Sequence, residues 1–301
     1  MNSNPQPSAP SNLPYIGRFA PSPTGRLHFG SLVAAVASFV DAKAHQGRWL
    51  VRIEDLDPPR EVPGAASDIL HTLEAFKLHW DGDVIYQSDR SARYQSAIQQ
   101  LQQQQLIYGC RCTRKQIRQS GGVYLNVCRD QQWPITNDSA IRVKQSDHPS
   151  DFADPIMGAL QESPDKQRED FIIRRRDGLF AYQLAVVCDD IDQGISCVVR
   201  GADLLDSTPK QLRLFQLFNH TPPEYQHIPL AVNQNGDKLS KQNYAPAILP
   251  GQAQDQLFQA LCFLGQKPPA ELKTDSCEQM LRWAIDHWQR SAIPKTPAIN
   301  V

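Results

Sequence analysis

The sequence predicts an α/β protein: a parallel-sheet domain divided by a smaller α+β insertion and followed by a short helical C-terminal region. Three observations carry this. A strand, a helix and a strand follow one another between Tyr15 and Ile53; a Cys-, Gly-, Arg- and Asp-rich segment, 109–180, then breaks the pattern; and strand–helix alternation resumes near Tyr182.

Each element has a local reason. Residues 1–14, rich in Pro, Ser and Asn, read as a flexible tail and have neither the basic start nor the apolar run of a secretory signal. Tyr15 to Ala20 alternates and runs into Pro21, Pro23 and Gly25, a strand ending in a loop. After Gly30 the small apolar run LVAAVASFVDAKAHQ predicts a buried helix, with Gly47 placed to stop it. Trp49 to Ile53 is a second buried strand that ends in acidic residues. In such a βαβ unit ligands sit beyond the C-terminal strand ends, where loop 21–30 and the Glu54 to Asp57 tip both lie.

Helices are expected over 67–79 and 89–107; in the second, Tyr94, Ala97, Ile98 and Leu101 have helical spacing, and the glutamine run Gln99 to Gln105 reads as a solvated face. The insertion holds expected strands at 140–144 and 171–174 and a turn at Asp177-Gly178. Beyond it come a helix to about Asp190, strands at 195–200 and 228–232, and helices at 208–218, 254–264 and 276–290. The expected organisation is therefore a tail (1–14), a first catalytic half (15–108), the insertion (109–180), a second catalytic half (181–242) and a helical region (243–301).

Composition excludes several functions. With 31 Lys+Arg against 32 Asp+Glu in 301 residues the net charge is -1, so no overall positive field holds polyanions and any RNA contact must be local. The longest apolar stretch, Leu32 to Val40, is interrupted by Ser38 and falls short of the roughly 20 residues a membrane span needs. Seven cysteines, an odd number, argue against a disulfide framework and for a reducing cytoplasm. Cys188, Cys197, Cys262 and Cys277 are scattered and expected to be buried apolar fillers.

Two distant segments carry chemistry. In RFAPSPTGRLHFGS (Arg18 to Ser31) a loop leads into a helix N-terminus, where free N–H groups and the helix dipole favour phosphate. Gly30 lets a nucleotide approach the backbone, and His28 can donate to a phosphate oxygen as charge develops. Lys238 and Lys241, after the Asn235-Gly236 turn, can clamp a triphosphate as pyrophosphate leaves. Each alone is ordinary, a capping histidine and two solvated lysines; together, each at an expected strand end, they are specific.

These residues resemble the class I aminoacyl-tRNA synthetases, His28-Phe29-Gly30-Ser31 matching the HIGH signature and Lys238-Leu239-Ser240-Lys241-Gln242 the KMSKS signature. Within that class RFAPSPTGRLHFGS, VRIEDLDPPR (51–60), DGLFAYQLAVVCDD (177–190) and RGADLLDSTPKQL (200–212) look like the glutamyl branch, over roughly Ile16 to Gln242. Ser31 and Gln242 depart from the signatures at positions that vary within the branch. The resemblance implies a Rossmann-like catalytic domain that activates L-glutamate with ATP and Mg2+. His28, Gly30, Ser31, Lys238 and Lys241 would bind ATP, with His28, Lys238 and Lys241 catalytic. Glutamate would meet Arg18, Phe19, Ala20, Pro21 and Ser22, with Glu54 on the ammonium group and Tyr182 and Arg200 completing the pocket. A guanidinium fork suits the side-chain carboxylate.

Cys110, Cys112 and Cys128 form a third constellation. Spacing alone leaves two readings open, a tetrahedral zinc site and unrelated buried thiols, because C-x-C is tight and no histidine is near. The resemblance to the bacterial glutamyl-queuosine subfamily of the branch implies one structural zinc ion held by Cys110, Cys112, Tyr124 and Cys128. Only the 59 residues 243–301 follow Gln242, too few for an anticodon-reading module of roughly 100 residues or more. By resemblance the acceptor is then the cyclopentenediol of queuosine in the anticodon of tRNA(Asp), with glutamate activated without tRNA by a cytoplasmic monomer. Arg174-Arg175-Arg176 and the basic residues of 111–118 either line the RNA path or are solvated charge. Charging of a CCA end is the alternative, and a non-catalytic paralogue is disfavoured because His28, Lys238 and Lys241 are all present.

Overall fold

Apolar alternation in Ile16–Phe19 (β1) and the run Arg48–Ile53 (β2) give two parallel strands, paired from Ile16 with Arg48 to Phe19 with Val51. The computed structural model describes residues 14–131, 133–136, 138–145, 152–160, 169–237 and 247–301. Between the two strands runs α1 (Phe29–Ala44), apolar on nearly every side and buried from Leu32 to Ala42 apart from Ala34. Gly47 does not cap this helix. Gln46 takes the left-handed position (φ 55°), whereas a Cβ on Gly47 would lie 2.5 Å from the Tyr15 carbonyl oxygen, so glycine is required there by the approach of two chains.

Next come α2 (Ala65–Ala75), β3 (Ile85–Tyr86), which adds to β2 in parallel, and α3 (Ser91–Gln103). The glutamines of α3 are exposed opposite buried Tyr94, Ala97, Ile98 and Leu101. The helix expected to reach Ile107 stops at Gln103, because Ile107–Cys110 is a strand, β4, that sequence periodicity missed. Helix α4 (Arg114–Gln119), closed by a Thr113–Gln116 capping box, was also missed, and so were β6 (Phe152–Asp154) and β7 (Gly158–Leu160), a hairpin that follows β5 (Ala140–Val143). With β8 (Phe171–Arg174) the order is β4-β5-β8, antiparallel. Its inner residues, Ile141, Val143, Phe171 and Ile173, share one apolar cluster with α3 and with the two helices α5 (Tyr182–Asp192) and α6 (Thr208–Leu217).

Strands β9 (Cys197–Gly201) and β10 (Glu224–Ile228) are parallel, and Ser196 N–H donates to the Ile16 carbonyl at 2.9 Å, which seats β9 beside β1. The strand expected at 228–232 is β11 (Leu230–Val232) alone: Pro229, which has no N–H to donate, separates it from β10. Helices α7 (Ala253–Phe263) and α8 (Cys277–Asp286) pack on α1, and β12 (Ala298–Asn300) pairs in parallel with β11. Cys188, Cys197 and Cys277 are buried as expected, but Cys262 is exposed. Among the described residues no helix is long and apolar enough to cross a membrane.

The last segment is tied to the core by charge. Asp41, fully buried on α1, accepts from Arg290 Nε (2.6 Å) and Nη2 (2.9 Å), from Trp288 Nε1 (2.8 Å) and from the Tyr15 hydroxyl. Arg290→Ala leaves Asp41 without its cation, and a loss of about 3 kcal/mol in urea unfolding is expected. A change under about 0.5 kcal/mol, the range of ordinary surface substitutions, would place the clasp among those.

Candidate active site

The C-terminal end of β1 and the tip of β2 are pinned together. Glu54 N–H donates to the Pro21 carbonyl at 3.0 Å and Val62 N–H to that of Pro23 at 3.0 Å, which holds the Phe19 to Ser22 turn against the acidic tip. Arg18, only 3 % exposed, donates from Nε to Asp190 Oδ1 at 3.3 Å. Among the described residues this is its one side-chain hydrogen bond, so the paired terminal nitrogens of its guanidinium remain for a ligand. Beside it Arg52, fully buried at the end of β2, reaches Asp190 Oδ1 (2.7 Å) and Gln193 Oε1 (2.5 Å). Asp189 in turn accepts from Gln87 Nε2 (2.7 Å), Arg90 Nε (2.7 Å) and the Tyr94 hydroxyl (2.9 Å).

Glu54 sits on this lattice with its side chain 9 % exposed; Arg52 Nη2 is 3.7 Å from its Oε1, too far for a hydrogen bond, and Oε1 has no described partner. Burial pushes its carboxyl up to about 7, against the pull of Arg52 and Arg18 and with a further push from Asp190 and Asp189. Tyr182 opens α5 nearby. Burial raises its phenol, Arg200 and Arg18 lower it and Glu54 raises it, so all four groups feel one another. Arg200, 4 % exposed near the end of β9, makes five hydrogen bonds among the described residues, every one to a neutral acceptor. They go to His227 Nε2 (3.0 Å), Tyr182 Oη (3.4 Å), Gln211 Oε1 (2.8 Å), the Leu204 carbonyl (3.2 Å) and Thr208 Oγ1 (2.7 Å). A buried guanidinium with no carboxylate partner beside a buried carboxylate with an empty oxygen suits a zwitterion that carries extra negative charge. Asp189, Asp190, Arg52, His227 and Asp154 support this pocket and were not found from sequence. The signal was the pair Asp189-Asp190 inside an apolar helical run, since charges there must be paired.

At the helix end, His28 is the N-cap of α1: its Nδ1 accepts from Ser31 N–H at 3.3 Å, and Ser31 Oγ lies 3.1 Å from Nε2. Acceptance at Nδ1 assigns a proton to Nε2, the nitrogen that faces Ser31 Oγ. Gly30 and Ser31 form the first turn of α1, which carries no acidic residue to oppose the positive dipole end. Lys238 and Lys241 lie outside the described residues. The chain around them is anchored at both sides: Asn233–Asp237 forms a turn after β11, and at Ala247 the backbone bridges to His28, with Ile248 N–H donating to the Leu27 carbonyl at 3.0 Å. The described chain that resumes at Ala247 thus meets the residues that open α1.

The thiols of Cys110, Cys112 and Cys128 lie within 4.8 Å of one another at the end of β4. Cys112 Sγ is 3.5 Å from Cys128 Sγ, and Cys110 Sγ is 3.6 Å from Tyr124 Oη, which also accepts Cys128 N–H at 3.0 Å. Zn–S bonds of about 2.3 Å and a Zn–O bond of about 2.0 Å require tetrahedral edges of roughly 3.8 Å (S to S) and roughly 3.5 Å (S to O). Both spacings fit a four-coordinate ion. Burial and the neighbouring thiols push Cys112 up to about 12, so a cation here would displace its proton.

Comparison with known proteins bears on this site. The profile of the family "tRNA synthetases class I (E and Q), catalytic domain" matches residues 16–264. The Glutamyl-Q tRNA(Asp) synthetase of Escherichia coli (strain K12) is 51% identical over 286 residues, 95% of this chain and 92% of that protein. The protein of the same name from Vibrio cholerae serotype O1 is 52% identical over 290 residues, 96% of this chain and 95% of that one. Among solved structures, the glutamate-tRNA synthetase of Elizabethkingia anophelis superposes with a TM-score of 0.77 at 23% identity, covering 96% of this chain and 68% of that one, a likeness of fold.

Proposed function

Because this chain belongs to the class I tRNA synthetases for E and Q, a family of ligases, we propose that it activates L-glutamate with ATP and transfers it to queuosine in tRNA(Asp). The observation that carries the acceptor is identity of 51–52% over nearly the whole length of proteins named for that reaction. The pocket supports the amino acid. Arg18 offers a two-pronged guanidinium to the side-chain carboxylate, Glu54 offers an unpaired carboxylate oxygen to the α-ammonium, and Tyr182 and Arg200 close the site. A glutamine side chain would leave Arg18 facing a neutral amide, which weakens the wrong substrate.

In the first step the α-carboxylate of glutamate attacks the α-phosphorus of MgATP; the new O–P bond forms as the bond to pyrophosphate breaks. The N-terminus of α1, with Gly30 and Ser31, cradles phosphate, and His28 donates from Nε2 to an oxygen that gains charge. Lys238 and Lys241 neutralise the departing pyrophosphate. In the second step a queuosine hydroxyl attacks the glutamyl carbonyl and AMP leaves. Cys110, Cys112 and Cys128, with Tyr124 as the fourth ligand, would hold a zinc ion, which would cross-link the end of β4 to the 124–128 segment. Arg111, Arg174 and Arg176 supply local positive charge for the RNA backbone.

Two assays test this. Glutamate-dependent ATP–pyrophosphate exchange is expected without any tRNA, and acid-gel analysis with labelled glutamate is expected to show acylation of tRNA(Asp) only when queuosine is present. Labelling of the CCA end of tRNA(Glu), with queuosine-bearing tRNA(Asp) left untouched, would reject the acceptor and leave the pocket standing.

A further inference from the structure

Arg200 is held by a histidine whose tautomer the structure fixes. Asp154, at the end of β6 and only 2 % exposed, has both carboxylate oxygens engaged. Oδ1 accepts Ile156 N–H (2.7 Å) and Met157 N–H (2.8 Å) across the hairpin turn, while Oδ2 accepts His227 N–H (2.8 Å) and faces His227 Nδ1 at 2.7 Å. A carboxylate can only accept, so Nδ1 carries the proton and Nε2 presents its lone pair. That lone pair receives Arg200 Nε–H at 3.0 Å, and Thr208 Oγ1 lies 3.2 Å from the same nitrogen. His227 is fully buried, and its ring stacks at 6.4 Å on Tyr225, over which the Arg200 guanidinium sits at 4.8 Å. The hairpin that carries Asp154 belongs to the insertion, yet its turn residue Ile156 is buried in the core cluster of the catalytic sheet. The chain Asp154, His227, Arg200 therefore runs from the insertion to the amino-acid pocket.

We propose that Asp154 and His227 are positioning residues for glutamate: the Asp154 carboxylate holds His227 in the Nδ1–H tautomer, and that tautomer fixes the Arg200 charge against Tyr182 at the wall of the pocket. The inference rests on Arg200 lining the glutamate pocket. Its physical content is a matter of donors and acceptors. In Asp154→Asn the oxygen keeps the two turn N–H groups and the new NH2 faces both the His227 N–H, which loses its acceptor, and the ring, which must accept at Nδ1 and carry its proton on Nε2. Two donors, Nε2–H and Arg200 Nε–H, then face each other, and Arg200 is displaced. Glutamine at 227 can relieve the ring's part of this conflict, because its carbonyl oxygen has two lone pairs and can accept from both the asparagine introduced at 154 and Arg200.

The test is steady-state ATP–pyrophosphate exchange on the full chain with Arg200→Ala, Asp154→Asn, His227→Gln and the double variant, alongside 15N NMR of the His227 ring. For Asp154→Asn, KM for glutamate is expected to rise on the order of 30-fold, the scale of one unsatisfied buried group, with KM for ATP within about twofold. In the double variant the part of that rise owed to the ring is expected to vanish, and the ring spectrum of Asp154→Asn is expected to switch from Nδ1–H to Nε2–H. If Arg200→Ala leaves KM for glutamate unchanged, the pocket assignment itself fails. If Arg200→Ala raises it but Asp154→Asn does not, or Asp154→Asn costs the same in the His227→Gln background, the positioning role is overturned and the pocket stands. Loss of folded protein with both KM values unchanged in the remainder would make Asp154 a fold residue and also overturn it.

Discussion

Glu54→Gln is expected to raise KM for glutamate on the order of 100-fold, about 3 kcal/mol, because it removes the anionic member of a buried charge pair with the substrate ammonium. The same group predicts a pH profile. Burial sets its carboxyl at about 7 in the empty pocket, and only the ionised form holds an ammonium group. KM for glutamate should therefore rise as pH falls, roughly tenfold between pH 8 and pH 6, and the dependence should disappear in Glu54→Gln. Stability runs the other way. A carboxyl raised above its unfolded value favours the fold while neutral, so Glu54 supports the fold below about pH 4.5 and that support is lost as pH rises through about 7. Glu54→Gln should accordingly have a higher Tm than the parent at pH 8. A flat KM between pH 6 and pH 8 in the parent protein would sink the ammonium role.

Cys128→Ser is expected to lower zinc affinity by more than about 100-fold, beyond the 10- to 100-fold that loss of a supporting partner costs, and to abolish transfer to RNA while tRNA-free exchange persists. The division follows from the fold: the thiols join the end of β4 to the 124–128 segment, whereas Glu54, Arg18 and Arg200 are fixed by α5 and the parallel strands. Tyr124→Phe keeps three thiolates and should lose less. It also leaves Cys128 N–H without the acceptor it has at 3.0 Å, so some loss of order around the cluster is expected in hydrogen exchange. Metal analysis of the purified protein decides between a site and a packed group: zinc well below one equivalent, with chelator leaving hydrogen exchange unchanged, would mean three packed thiols.

What was legible in the sequence were features whose cause is local. The apolar runs of α1 and β2, the spacing of Tyr94, Ala97, Ile98 and Leu101, and the Pro- and Gly-shaped loop after β1 depend on residues close in the chain, and the structure follows them. Boundaries failed where a neighbour in space overrode local preference. The helix expected through Ile107 gave way because Ile107 to Cys110 pairs with Ala140 to Val143, and Gly47 proved to be a point of contact with Tyr15. The hairpin β6–β7 was missed because its strands are only three residues each, too short for any period to show.

By itself the sequence determined the class of fold, the family and the chemical types on offer: an arginine for a carboxylate, a histidine before a helix, paired lysines, three thiols and a tyrosine. Tertiary structure decided which of them meet and in what state. Arg18 and Asp190, 172 positions apart, share one buried ion pair. Glu54 becomes a near-neutral acid because distant chain removes its water, and His227 takes one tautomer because Asp154, 73 positions away, faces it. Ionisation and proton position are set by solvation and by partners through space, and a linear pattern of residues carries neither.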